Sequence, residues 1–287
     1  MKNDSSNSNS GPIPAVGPIT EIGSTQNPVF RELLALNEGK GQGILVHGLK
    51  LVDELIENVS QSSAEADSGF SLMTLVARGS FDLNQSKVGS NLFRRRFAAP
   101  VTRIKLADNL FDRIDPFGVP DVLAVFSRPK VDEWPSTAIV GPTLILSTQN
   151  PLNLGACMRS AHAFGIKNLV TLKESANPFN AKVIRSSMGA VFHMRQFRGP
   201  SIHDLAPPKN TPLLVLDLKG QDISKFDFPK DPVFLIGEEG AGVPEHLQGD
   251  GLVRLNIPMT TGFDSLNAAV SCGIALYAWS TRKTGIN

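Results

Sequence analysis

The sequence predicts an α/β protein with two domains, the second of which holds a parallel sheet with helices on both faces. In the second half of the chain, short apolar runs recur at wide spacing and alternate with helical stretches, as is typical of a parallel sheet. Residues 141–287 are assigned to this domain, residues 19–128 to a smaller α/β domain, and the polar, proline-containing stretch 129–140 to a linker. Residues 1–18 are rich in Ser, Asn, Gly and Pro, which predicts a disordered tail.

Each predicted element has its own local signal. The Asn27–Pro28 pair supplies an N-cap and a proline at the first helical position, so a helix is predicted over 28–36. Helical spacing of apolar residues predicts a second helix over 49–59. Short apolar runs predict strands at 44–46, 72–76, 102–106, 121–126, 144–147, 169–172, 213–216, 233–236 and 253–257.

The composition excludes several classes of protein. Hydrophobic residues make up 41% of the chain and charged residues 19%, with a net charge of +1, so bulk charge does not predict a polybasic nucleic-acid binder. No apolar run reaches the roughly 18 residues of a membrane span, and the first forty residues contain no signal-peptide core. The two cysteines cannot form a disulfide framework or a cysteine zinc site. A cytoplasmic protein without a metal is expected.

The first segment with chemical interest is 147–165, which reads as strand end, loop and helix. Asn153 is expected to cap this helix, and Gly155 to allow close approach of another backbone. One face of the helix is expected to pack inward through Cys157, Ala161 and Phe164. Arg159 then points elsewhere, near the carboxyl edge of the sheet, where open α/β folds bind ligands.

Two further segments each follow a predicted strand. Residues 234–244 hold three glycines and two acids, without the Gly-Lys-Ser/Thr ending of a phosphate loop. This composition favours a neutral or cationic ligand. In residues 255–270 the strand ends at Ile257, and Ser265 is expected to cap a helix of small residues that packs on the sheet or on a partner subunit.

Together the three segments resemble the motifs of the SpoU/TrmH branch of the SPOUT superfamily, whose members methylate ribose 2′-hydroxyls of RNA. The first motif, N-x-G-x-x-x-R-x-A…G, is matched by Asn153, Gly155, Arg159, Ala161 and Gly165. The second, G-x-E-G-x-G, is matched by Gly237, Glu239, Gly240 and Gly242. The third, I-P-M…S-L-N, is matched by Ile257, Pro258, Met259, Ser265, Leu266 and Asn267. Residues 180–190 resemble a further family segment, and residues 22–55 a ribosomal-protein-like RNA-binding domain.

The resemblance implies a C-terminal domain with a deep trefoil knot that forms a pocket for S-adenosylmethionine. Carried over to this chain, the cofactor-binding residues are Gly237, Ile257 and Leu266. The resemblance also implies a homodimer, with the small-residue helices in the interface. A methyl sulfonium is already activated, so no metal is expected.

The expected catalytic residues are Asn153, Arg159, Glu239, Ser265 and Asn267. Arg159 would stabilise the developing alkoxide and the adjacent phosphate. Glu239 would hold that arginine or accept the proton. The remaining three would orient the ribose and the Glu–Arg pair through hydrogen bonds.

RNA contacts require cations, and the chain offers two groups of them. Arg94, Arg95 and Arg96 lie between two phenylalanines, where they could bind phosphates and stack on bases or form a loop with apolar anchors. Lys182 and Arg185 belong to a stretch of cations opposed only by Glu174. The resemblance thus implies an RNA methyltransferase acting on structured RNA, with ribosomal RNA favoured. The alternatives are transfer RNA as substrate, or an RNA-binding or ribosome-assembly factor that has lost catalysis.

Overall fold

The structure is a computed structural model that describes residues 17–61, 70–82, 87–97, 99–115, 118, 122–135, 140–209, 211–237, 244, 247, 251–260, 262 and 265–283. It contains two sheets, one in each half of the chain. Most of the predicted tail and Glu239 of the second motif lie outside the described residues.

The first sheet has five strands in the order β1-β4-β3-β5-β2. They are β1 (Ile19–Ile22), β2 (Gly43–His47), β3 (Leu72–Arg78), β4 (Thr102–Leu106) and β5 (Val122–Ser127). The helices around them are α1 (Pro28–Asn37), α2 (Leu49–Gln61), α3 (Lys87–Arg94) and α4 (Asp108–Ile114). Strands β1, β4 and β3 run parallel, whereas β5 is antiparallel to both β3 and β2. The sequence did not predict β1, α3 or α4, each of which is eight residues long or shorter.

The second sheet has seven strands in the order β12-β10-β11-β7-β8-β9-β6, and every pair is parallel. The strands are β6 (Asp132–Glu133), β7 (Thr143–Leu146), β8 (Asn168–Thr171), β9 (Arg195–Arg198), β10 (Leu213–Asp222), β11 (Val233–Ile236) and β12 (Leu252–Asn256). The helices of this half are α5 (Pro151–Ala163), α6 (Ala181–Ser186) and α7 (Ala268–Lys283). Strand β6 lies within the predicted linker, which is therefore partly structured.

The two faces of this parallel sheet are covered differently. Leu144 and Leu146 of β7 belong to the core that α5, α6 and α7 share. Ile145 belongs to a second core on the opposite face, where Ile202, Leu205 and Leu247 pack. Within the described residues, α-helices therefore cover one face, and the residues named on the other face, where the sequence also predicted helices, lie outside any α-helix.

A polar joint connects the two halves at the glycine-rich turn after α1. The carbonyl oxygen of Gly39 accepts a hydrogen bond from Asn177 Nδ2 at 2.7 Å. Arg128 donates to Asn177 Oδ1 at 3.2 Å and lies 4.3 Å above the ring of Phe179. Gly39 has a φ of +75°, and a Cβ there would lie 2.8 Å from Asn177 Nδ2. Position 39 therefore requires glycine, because the second half of the chain packs against this turn.

An apolar contact continues this joint. The ring of Phe192, just before β9, lies 4.6 Å from Phe70 and 5.5 Å from Phe126. Residues of α2 and β5 belong to the same buried cluster as residues of α5 and α7. The two halves therefore share a hydrophobic core.

Arg103 is a buried arginine, 4% exposed, that shapes the loop after α3. It donates to the backbone carbonyls of Phe93 (2.9 Å), Val101 (3.0 Å) and Arg95 (2.8 Å). Replacing it with Met should lower the free energy of unfolding by about 3 kcal/mol, because three carbonyls would be left without a charged donor. Urea denaturation measures this change. The exposed Arg113→Met variant is the control, and equal destabilisation of the two variants would contradict the structural role of Arg103.

Candidate active site

The first motif begins where β7 ends, and Asn150 caps the helix that follows. Its side-chain oxygen accepts hydrogen bonds from the backbone nitrogens of Leu152 (2.9 Å) and Asn153 (3.4 Å), and Pro151 occupies the first helical position. The prediction that Asn153 caps this helix is therefore wrong. Asn153 instead lies in the first turn of the helix. The sequence signal for the start of this helix is the pair Asn150–Pro151, which is the same kind of pair that predicts α1.

The third motif ends in a similar cap at the start of α7. Asn267 Oδ1 accepts hydrogen bonds from the backbone nitrogens of Ala269 (2.9 Å) and Val270 (3.3 Å). Ser265, predicted to cap this helix, lies exposed two residues earlier. That prediction is wrong because an asparagine stands at the position immediately before the helix and takes the role.

One hydrogen bond joins the first and third motifs. Asn267 Nδ2 donates to Asn153 Oδ1 at 3.0 Å, across 114 positions of sequence. Asn267 therefore uses its oxygen to cap α7 and its amide nitrogen to hold the first turn of α5. Two of the predicted catalytic residues are thus brought into direct contact.

This double use predicts different effects for two substitutions of Asn267. Asn267→Ala should cost about 1 kcal/mol of unfolding free energy for the cap and a further ~1 kcal/mol for the bond to Asn153. Asn267→Ser should remove only the bond, because serine also caps helices. A double-mutant cycle with Asn153→Ala isolates the coupling. Ser265→Ala is the control and should change the free energy of unfolding by less than about 0.5 kcal/mol. A larger destabilisation would show that Ser265, and not Asn267, caps α7.

Arg159 lies on the exposed side of α5, as the sequence predicts. Cys157 and Ala161 on the opposite side are fully buried. Among the described residues, Arg159 makes no hydrogen bond or ion pair with another side chain. Its guanidinium is therefore available to a ligand at the surface.

Helix α6 packs against α5 at Gly155, one helical turn before Arg159. A Cβ at Gly155 would lie 1.8 Å from Ser186 Oγ and 2.8 Å from the carbonyl oxygen of Val183. Gly155 therefore admits a neighbouring helix. On α6, Lys182 is exposed and Arg185 is half-buried. Because residues four apart are neighbours on a helix surface, α6 contacts α5 one turn before the exposed Arg159.

Two histidines stack at the far end of α5. The rings of His162 and His193 lie 4.8 Å apart with an interplanar angle of 18°. Partial burial lowers the pKa of His193, the charge of His162 lowers it further, and Glu54 of α2 opposes both effects. This pair therefore lies where the first half of the chain meets the second, a position that the sequence did not indicate.

The proposed cofactor residues lie at the carboxyl edge of the second sheet. Gly237 follows β11, and the backbone nitrogen of Ser147 donates to the Ile236 oxygen at 2.9 Å, so the first and second motifs start side by side. Ile257 follows β12 and is half-buried against the core. Leu266 is 37% exposed and directly precedes Asn267. Glu239, Gly240 and Gly242 lie outside the described residues.

Arg94, Arg95 and Arg96 lie in the other half of the chain, at the end of α3. Arg94 and Arg96 are exposed and Arg95 is half-buried. Arg94 and Arg95 line a cleft of about 470 Å³ together with Asp53 and Glu57. The structure therefore does not join them to the motif residues.

Cys157 and Cys272 meet where α5 packs on α7, and both are fully buried. The Cys272 thiol donates a hydrogen bond to the Cys157 sulfur, and this bond, followed by burial, raises the pKa of Cys272. The Cys272 thiol therefore stays protonated, and both buried cysteines belong to the packing of the two helices. Among the described residues, no group of three or more His, Cys, Asp or Glu is arranged to hold a metal ion. In the described part of the chain, no helix combines the length and apolar character that crossing a membrane requires.

Comparison with known proteins identifies relatives of the second half of the chain. Residues 143–277 match the model of the SpoU rRNA Methylase family. An uncharacterized tRNA/rRNA methyltransferase from Archaeoglobus fulgidus is 33% identical over 155 residues, which cover 51% of this chain and 68% of that protein. The 23S rRNA (uridine(2479)-2′-O)-methyltransferase from Streptomyces viridochromogenes is 28% identical over 236 residues, which cover 78% and 80%.

Other relatives are longer than the region they share with this chain. Ribosomal RNA small subunit methyltransferase G 2 from Syntrophobacter fumaroxidans is 37% identical over 178 residues, which are 61% of this chain but 35% of that protein. The chain also spans less than two thirds of three further relatives.

The solved structures confirm the α/β fold. The SpoU methyltransferase AviRb from Streptomyces viridochromogenes, solved with AdoMet, superposes with a TM-score of 0.73 at 24% identity, covering 90% of this chain and 99% of that one. The fold and the gathered motifs thus define an α/β protein with a candidate ligand site at the carboxyl edge of a parallel sheet. The chain belongs to the SpoU rRNA methylase family.

Proposed function

We propose that this protein is an S-adenosylmethionine-dependent RNA 2′-O-ribose methyltransferase acting on ribosomal RNA. The observation that carries the proposal is the Asn267–Asn153 hydrogen bond, which joins two motifs beside the helix that presents Arg159. The name of the Streptomyces viridochromogenes 23S rRNA relative, which matches 78% of this chain, supports both the ribose hydroxyl and the ribosomal substrate. Other relatives are named tRNA/rRNA methyltransferases, so transfer RNA remains the second candidate.

The residues at the carboxyl edge fit S-adenosylmethionine, which supplies a methyl group on a sulfonium. Gly237 lets the ligand approach the backbone. Ile257 and Leu266 supply apolar walls and keep some exposed surface. A deep trefoil knot formed by the C-terminal strands and α7 is part of the same proposal.

The chemical difficulty lies with the nucleophile, because a ribose hydroxyl is a weak acid. In the proposed mechanism Arg159 stabilises the developing alkoxide and binds the adjacent phosphate with its planar guanidinium. It does not act as the base, because a guanidinium is not deprotonated in proteins. Glu239 accepts the proton or holds the arginine. Asn153, Ser265 and Asn267 orient the ribose, and Lys182 and Arg185 on α6 bind neighbouring phosphates.

A homodimer completes the proposal. Val270 and Tyr277 on α7 are 50% and 59% exposed and lie seven positions apart, which places them on one face of the helix. Leu152 at the start of α5 is 57% exposed. Large apolar side chains that remain exposed beside a site are typical of an interface. The proposed compartment is the cytoplasm, where the free cysteines stay reduced.

The function is tested with radiolabelled S-adenosylmethionine and with rRNA and tRNA purified from cells that lack the gene. Label in ribosomal RNA at a linkage that resists alkaline hydrolysis is the expected result, because a 2′-O-methyl group removes the attacking hydroxyl. Label in transfer RNA alone would support the second candidate. RNA binding without any label in either RNA would support the assembly-factor alternative.

The arginines of α3 and its following loop give a separate prediction about RNA binding. Replacing Arg94, Arg95 and Arg96 with Ala should reduce the slope of log affinity against log salt, by about 0.7 to 0.9 for each phosphate that the protein no longer neutralises. Methyl-donor affinity should not change. The control replaces three exposed lysines of the second half with Ala, namely Lys209, Lys225 and Lys230. An equal change of slope in both triple variants would show that general charge is sufficient.

A further inference from the structure

A cleft at the β9–β6 edge of the second sheet lies outside the three motifs. It has a volume of about 300 Å³ and is called the edge cleft below. Its lining residues are Glu133, Trp134, Lys173, Arg198, Gly199, Pro200, Asp204, Leu205 and Ala206. Because all strands of this sheet are parallel, the segments that follow β6, β8 and β9 open on the same edge as the first and second motifs.

The edge cleft has an aromatic wall that the sheet holds in place. The backbone nitrogen of Trp134 donates to the carbonyl oxygen of Arg198 at 2.8 Å, which continues the pairing of β6 with β9. The indole packs edge-on against Phe197, with ring centroids 6.2 Å apart and an interplanar angle of 78°. Trp134 is only partly buried, so part of its ring forms the surface of the cleft.

The floor and the opposite wall are fixed by the loops after β8 and β9. The carboxylate of Glu174 accepts hydrogen bonds from Ser201 Oγ and from the backbone nitrogen of Ile202, the latter at 3.1 Å. A Cβ at Gly199 would lie 2.4 Å from Leu172 Cδ2, so the backbone sits directly on the core at this point. Contacts within the protein therefore hold this side of the cleft in place.

Two cations stand at the mouth of the edge cleft. Lys173 and Arg198 are exposed, and the pair that Arg198 forms with Glu133 at 3.4 Å is also exposed. Exposed pairs of this kind contribute little to stability, so a phosphate can replace the carboxylate.

We propose that the edge cleft binds a single-stranded ribonucleotide of the RNA substrate, with the base against Trp134 and the phosphate on Arg198 and Lys173. This proposal rests on the proposed function and extends it to a nucleotide outside the reacting one. Stacking on an aromatic ring tolerates any base, and base–aromatic stacking combined with cationic phosphate contacts is the general mode of single-strand recognition. The carboxylate of Asp204 is placed to accept a hydrogen bond from an amino group of the base.

The test uses the fluorescence of Trp134 and a single-stranded tetraribonucleotide of adenosine as the probe. The chain has two tryptophans, and the other, Trp279, is 1% exposed. The tetranucleotide should quench the emission of the intact protein, and the quenching should disappear in the Trp134→Phe variant. Absence of quenching in the intact protein, or its persistence in Trp134→Phe, would overturn the proposal. Circular dichroism confirms that the variant is folded.

The charge assignment has a matched control on the same strand. Arg198→Gln and Lys173→Gln should each weaken tetranucleotide binding about tenfold, because each removes a charged hydrogen bond to phosphate. Arg195 lies at the opposite end of β9 and also faces an acid of β6, at 4.0 Å from Asp132. Arg195→Gln should therefore leave binding unchanged, and equal weakening in that variant would assign the effect to the pairing with β6.

The rRNA methylation assay separates this proposal from the proposed function. In that assay Trp134→Ala should raise the KM for RNA several-fold more than it lowers kcat, and Trp134→Phe should recover most of the effect. If the protein methylates rRNA but the tetranucleotide does not quench Trp134, the edge-cleft proposal is wrong and the function stands. If the tetranucleotide quenches Trp134 but no RNA is methylated, the edge-cleft proposal stands and the proposed function fails.

Discussion

Replacing Arg159 with Ala should lower kcat for rRNA methylation about 10²- to 10³-fold, the usual effect when one stabilising group is removed from a developing oxyanion. The affinity for S-adenosylmethionine should stay nearly unchanged, because Arg159 belongs to α5 and not to the segments after β11 and β12. Stability should change by less than about 0.5 kcal/mol, since Arg159 is exposed. Single-turnover kinetics and calorimetric titration of the cofactor measure the two quantities.

Two control variants make the Arg159 prediction specific. Arg159→Lys keeps the charge but not the planar fork, so kcat should remain low. Lys167→Ala removes an exposed cation four residues beyond the end of α5, and its kcat should be close to normal. If cofactor affinity falls as steeply as activity in Arg159→Ala, the assigned role is wrong.

Gly155→Ala should destabilise the protein by about 1–3 kcal/mol, although alanine is the better helix former. The added Cβ would meet Ser186 Oγ at 1.8 Å and the Val183 carbonyl at 2.8 Å, so α5 and α6 must separate. The same shift would move Asn153 away from Asn267 and reduce activity. Urea denaturation and the methylation assay follow the two effects.

Gly273 of α7 offers the matched comparison. A Cβ there would have Ser160 Oγ at 3.7 Å as its nearest neighbour, which is ordinary van der Waals separation. Gly273→Ala should therefore be neutral or stabilise the protein by up to about 1 kcal/mol. Opposite signs for the two substitutions are expected, and a neutral Gly155→Ala variant would show that the helices separate without cost.

The sequence predicted helices and strands well where a single local pattern, such as a helix cap or a short apolar run, marks the element. The helix over 28–36 is observed as Pro28–Asn37, and the strands over 102–106 and 233–236 have their predicted bounds. Strand β1 was not predicted, because four residues with three exposed carry no clear period. Its place in the sheet comes from pairing with β4, some eighty residues later.

The sequence also could not predict those features of the candidate site that depend on contacts between residues far apart in the chain. The motif spacing identified Asn153 and Asn267, but it assigned caps to Asn153 and Ser265, because the residue types that cap helices also bind ligands. Only the structure shows that Asn150 and Asn267 cap the helices and that Asn267 also reaches Asn153. The pairing of Asp132–Glu133 with β9, and hence the edge cleft, depends on residues about 65 positions apart and has no local signal.

Strand β6 has a consequence for how this protein avoids self-association through its sheet. Without it, β9 would present unpaired backbone groups along an open edge, a template on which another chain can add a strand. Two acidic residues of the supposed linker cover that edge and add charge to it. A fragment of the second half that began at residue 140 would lack β6, so the edge of β9 would be exposed and the fragment should aggregate more readily. A fragment that began near residue 129 would keep β6 paired with β9. Besides connecting the two halves, β6 therefore protects the β9 edge of the sheet from strand addition.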